Sequence, residues 1–85
     1  MVFFQGVPYI LKRVQEITGD LPAEEYHGWM VGCSGDPAEL ASRRIPVINC
    51  GSLENARAAL ELLMNKGMQE DGASGTGIYI YLIRN

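Results

Sequence analysis

Two cysteines, one histidine and one tryptophan are all that this 85-residue chain holds of three residue types that often carry chemistry. Two cysteines are too few for the disulfide framework of a small secreted domain. One histidine with two cysteines leaves a structural zinc site short of its fourth ligand unless a carboxylate joins, so no metal is implied. Basic charge is also scarce. Only Lys12-Arg13 and Arg43-Arg44 are adjacent among seven Lys and Arg residues, and the net charge is −3. That pattern lacks the clustered footprint of a nucleic-acid binder. No apolar run approaches the ~20 residues needed to span a bilayer. "MVFFQGVPYILKR" has no basic stretch before its apolar residues and no small-residue cleavage site. The expectation is a cytoplasmic protein with reduced thiols, without a cofactor and without nucleic-acid or membrane partners.

What is present is an ordinary globular composition, 47% hydrophobic and 20% charged. This is too apolar for disorder and supports one small domain over 1–85, with a core burying roughly 60% of the unfolded surface. "VFF" (2–4) reads as a short strand. "PYILKRVQEITG" reads as a helix, with Ile10, Leu11, Val14 and Ile17 on one stripe and Gly19 as its stop. "LPAEEYHG" is a loop or a helical turn, and "GWMVG" a strand on which His27 and Trp29 would share one face. "DPAELASRR" is a short helix and "IPVINC" a strand. In "SLENARAALELLMNKG", Leu53, Ala56, Leu60 and Leu63 make the core stripe, Ala59 and Met64 widen it, and Ser52 is the N-cap. "QEDGASGTG" reads as a mobile connection, and "IYIYLI" as the last strand. The expected fold is α/β: about four short strands alternating with three helices in a two- or three-layer sandwich. The ten-residue link before the last strand leaves it free to run antiparallel.

Two strand-to-helix turns hold the candidate ligand-binding residues. "GCSGDPAE" carries Cys33, Ser34 and Gly35 ahead of an Asp36 cap, with Glu39 completing a capping box. "INCGSLEN" carries Cys50, Gly51 and Ser52. In a largely parallel sheet both turns sit at the carboxyl ends of strands, where a small anion or a reactive thiol would find its place. Neither turn contains a P-loop or GxGxxG pattern. No catalytic residue stands out: a nucleophilic serine needs a histidine base and an orienting acid, and the single histidine lies on or near the strand leading to the turn.

"VPYILKRVQEI", "GDPAELASRRIP" and "IYIYLIRN" together resemble the first helix, the segment after the second strand and the last strand of the TusA family of small sulfur carriers. The resemblance implies a small α/β sandwich that relays persulfide sulfur. That family's thiol lies in a Cys-Pro-x-Pro motif. The matching stretch here is Gln5-Gly6-Val7-Pro8, so only Pro8 is shared and no residue role carries over.

The leading expectation is a small soluble non-enzymatic binding or interaction module that self-associates. The alternative is a thiol-dependent, sulfur-carrier-like or small-anion-binding protein using the two turns. Self-association is expected as a homodimer through Tyr79 and Tyr81, since both faces of "IYIYLI" are apolar and three helices leave one face of the sheet open.

Overall fold

The computed structural model describes residues 6–84. Its first helix, α1 (Val7–Thr18), carries Pro8 in its first turn, where the missing N–H costs nothing. It ends at Gly19, which takes the left-handed conformation and donates its N–H to the Gln15 carbonyl at 2.8 Å. Ile10 and Val14 are fully buried, with Leu11 and Ile17 packed beside them. A 3-10 turn over Ala23–Gly28 leads into β1 (Trp29–Ser34). His27 lies in that turn, so the strand parity expected for His27 and Trp29 does not arise.

From there the chain alternates: α2 (Pro37–Ser42), β2 (Val47–Asn49), α3 (Leu53–Asn65), β3 (Gln69–Glu70) and β4 (Tyr79–Arg84). Asp36 caps α2 by accepting the Glu39 N–H at 3.2 Å, and Ser52 caps α3 by accepting the Asn55 N–H at 3.1 Å. Each cap contributes about 1 kcal/mol. The sheet order is β2-β4-β1-β3. β3 is parallel to β1, whereas β4 runs antiparallel to both β1 and β2 and lies between them. The fold is therefore a mixed α/β domain whose last strand is antiparallel.

Among the described residues four strands are present, but not the four read from the sequence. "VFF" lies outside the described residues, and β3 was not foreseen. Gln69 and Glu70 are polar and exposed, so they carry no hydrophobic period; their pairing with Met30 and Val31 makes them a strand.

The core lies on one face of the sheet. Val31 and Cys33 of β1, Ile48 of β2, and Ile80 and Leu82 of β4 meet Ile10, Val14, Ala56, Ala59, Leu60 and Leu63 from the helices. Leu53 departs from its expected core position: it is 54% exposed.

The opposite face is the one on which an open tyrosine patch was expected. Tyr79 is half-buried there, but Tyr81 is only 3% exposed. Its ring lies over Gly32, where an added Cβ would come closer than 3.0 Å to the ring and hydroxyl. Its hydroxyl donates to the Asp71 carboxylate at 2.6 Å. Glycine at 32 thus makes the seat that takes Tyr81 out of the free surface.

Candidate functional site

The two expected turns do come together at one end of the sheet, but the chain itself fills the space between them. β4 begins there. The Ile78 carbonyl accepts the Cys50 N–H at 2.8 Å, and Gly77 lies against the backbone of Ser34 and Gly35. Amides an anion would use already have partners. The Cys33 N–H goes to Ser74 Oγ at 3.0 Å, the Asp36 N–H to Ser34 Oγ at 3.0 Å, and the Gly51 N–H to Asn49 Oδ1 at 2.9 Å. Ser52 Oγ is engaged as the α3 cap. The arrangement completes two helix starts and a strand junction.

The thiols sit in the core. Cys50 is fully buried, with its Sγ 3.6 Å from the Ile48 carbonyl. Burial pushes its thiol up to about 11, opposed by a hydrogen bond from the Ile80 backbone. Cys33 is 6% exposed, its Sγ 3.9 Å from the Ala56 carbonyl. Burial raises its pKa, the nearby Glu70 charge raises it further, and Arg57 opposes both. A reactive cysteine needs the reverse environment, electropositive and accessible. Tyr81 is likewise shifted upward by burial and by its bond to Asp71.

These shifts have a consequence for stability. The folded state holds protons on Cys33, Cys50 and Tyr81 that the unfolded chain gives up first, so stability falls wherever the unfolded state binds fewer protons. The expected result is a plateau below about pH 8.5, the ordinary cysteine value, then a decline as pH climbs toward the Cys50 value of about 11. Native thiol labelling should be slow at neutral pH and accelerate throughout the alkaline range. Fast labelling of either cysteine at pH 7, or a stability that rises above pH 9, would contradict the assignment of both as buried neutral thiols.

A different feature offers a surface to other molecules: a cleft of ≈ 420 Å³. Its helical wall is one flank of α3, with Leu53, Arg57, Leu60, Glu61 and Met64 at spacings of three and four. Cys33 forms part of the floor. Glu70 of β3 and the Gly75–Thr76–Gly77 backbone make the far wall. This wall is held in place. The Asp71 N–H donates to the Val31 carbonyl at 3.0 Å and the Gly75 N–H to the Cys33 carbonyl at 2.9 Å, so the glycine-rich connection is fastened along β1 rather than free. Leu53 and Met64 are 54% and 39% exposed on this flank. Arg57 and Glu61 pair at 3.8 Å on its rim, an exposed contact of little energetic weight.

Of the expected ligand residues, only Cys33 reaches this cleft. The α3 flank escaped the sequence reading because Leu53 and Met64 had been assigned to the stripe that serves the core. The signal was a stripe wider than one sheet can cover. Among the described residues no three His, Cys, Asp or Glu side chains cluster as a metal site requires. No helix among them is long and apolar enough to cross a membrane. Comparison with protein families, with curated proteins and with solved structures finds no match for this chain.

Proposed function

We propose that this protein is a small binding module whose working surface is the cleft between α3 and the 75–77 segment. The observation that carries the reading is the pairing of exposed apolar side chains, Leu53 and Met64, with a concavity of ≈ 420 Å³. That size and an apolar lining with a few charged groups are what ligand sites have in common. Burial of both cysteines and the engaged amides of the two turns weigh against the thiol-dependent and anion-binding alternatives. The test is binding of a neutral apolar dye, Nile red. Wild-type protein should enhance its emission, and Leu53→Glu with Met64→Glu should abolish the enhancement while circular dichroism and the thermal midpoint stay unchanged. Equal enhancement by the variant, or none by the wild type, would remove the cleft from consideration.

A second reading, self-association, is favoured by the other face of the sheet. Met30 and Ile83 pair directly across β1 and β4, and Val47 and Tyr79 share their face by strand alternation. All four are only partly buried. A homodimer formed there would use Tyr79, whereas Tyr81 is committed to Gly32 and Asp71. Sedimentation at tens of micromolar is expected to show a dimer that Tyr79→Glu dissociates. A monomeric wild type rules the dimer out.

A further inference from the structure

Among the described residues, the cleft combines three features: an apolar helical wall, charged lining residues and an edge strand. β3 is the outermost strand on its side of the sheet. The Asp71 N–H turns inward to the Val31 carbonyl. Successive residues of a strand point their backbone groups to opposite sides, so the N–H and C=O of Glu70 turn outward, away from β1. Glu70 lies opposite Val31, a core-face residue, so its side chain is on the same face as α3. An edge with outward backbone groups beside a helix that supplies apolar contacts is the geometry in which an added strand is recognised. The main chain gives hydrogen bonds and alternate side chains enter the groove.

Size and charge narrow the occupant. From Leu53 to Met64 the flank runs about 16 Å at the helical rise of ~1.5 Å per residue. About five extended residues cover that length at ~3.3 Å each. Three charged residues line the cleft: Arg57, Glu61 and Glu70. Arg57 already faces Glu61 at 3.8 Å, which leaves the lining with the net negative charge of Glu70.

We propose that the cleft takes an extended segment of a partner protein, with apolar side chains at its groove-facing ends and a lysine or arginine between them opposite Glu70. This rests on the cleft being the binding surface. The segment would add a strand to β3, pair its backbone with Glu70, and place its apolar side chains against Leu53, Leu60 and Met64.

The test is an amide-resolved NMR titration of the intact protein with the blocked pentapeptide LSKSL, whose three groove-facing residues are leucine, lysine and leucine. LSESL and an LSKSL methylated on its backbone nitrogens are the comparisons. LSKSL should shift the amides of Glu70, Arg57 and Thr76. It should bind about two- to fivefold more tightly than LSESL, the effect of one exposed ion pair. The methylated peptide should bind more weakly than LSKSL, and Glu70→Gln should bring LSKSL and LSESL level. Equal or tighter binding of LSESL overturns the proposal, and so does undiminished binding of the methylated peptide. If Nile red occupies the cleft while LSKSL causes no shift, the cleft stands and the peptide assignment falls. If neither binds, both fall.

Discussion

Gly77→Ala is expected to lower stability by about 3 kcal/mol or more, the upper end of what overpacking costs. The added Cβ would come closer than 3.0 Å to the carbonyl carbon and oxygen of Ser34 and to the amide nitrogen of Gly35. These are backbone atoms and cannot rotate aside. Ser34 is held in the ladder opposite Tyr79, and the segment carrying Gly77 is held by the bond from Gly75 N–H to the Cys33 carbonyl. Relief therefore requires pulling residues 75–77 off the end of β1, at the point where β4 begins. A domain of this length commands only about 4–13 kcal/mol in total. The urea midpoint should drop sharply, with Gly72→Ala, where nothing lies within 4 Å of the added atom, as the control. An unchanged midpoint for Gly77→Ala would mean that the segment does not pack against β1. The cleft would then lose its far wall.

Leu63→Ala should cost about 2–5 kcal/mol, the transfer of a leucine side chain plus the cavity left behind. Leu63 is fully buried, on the side of α3 that faces the core. Leu53→Ala, ten residues earlier on the same helix, should change stability by less than about 0.5 kcal/mol, because that side chain is 54% exposed. The contrast separates the two jobs of the helix. If Leu53→Ala is as damaging as Leu63→Ala, the flank is core and no apolar wall faces the cleft. Chemical denaturation of the two variants side by side decides it.

Much of the fold was legible because local chemistry specified it. Helix α1 follows from Pro8, the Ile10–Val14 stripe and Gly19. Helix α3 follows from the Ser52 cap and apolar residues at spacings of three and four. These signals act within a few residues and survive any tertiary context. β3 was illegible because a two-residue polar strand has no period; it exists only because β1 offers it an edge. The setting of the two candidate turns was illegible for a related reason. Cys33 to Gly35 and Cys50 to Ser52 do form the turns expected of them, yet a sequence does not show that β4 will start between them or that Ser34, Asn49, Ser74 and Ile78 will engage their amides.

By itself, then, the sequence determined where helices begin and end, that the class is α/β, and that the chain carries no basic patch. Those properties depend on hydrophobic spacing, caps and charge count, all of which are one-dimensional. The tertiary structure alone decided which apolar residues are hidden. Leu53 and Leu63 are the same residue type on one helical stripe, and only the position of α3 over the sheet exposes one and buries the other. It likewise decided that Tyr81 is internal, because its seat needs Gly32 on a neighbouring strand and Asp71 after β3. Burial is set by what lies across in space, and residues 32, 71 and 81 become neighbours only when the sheet closes.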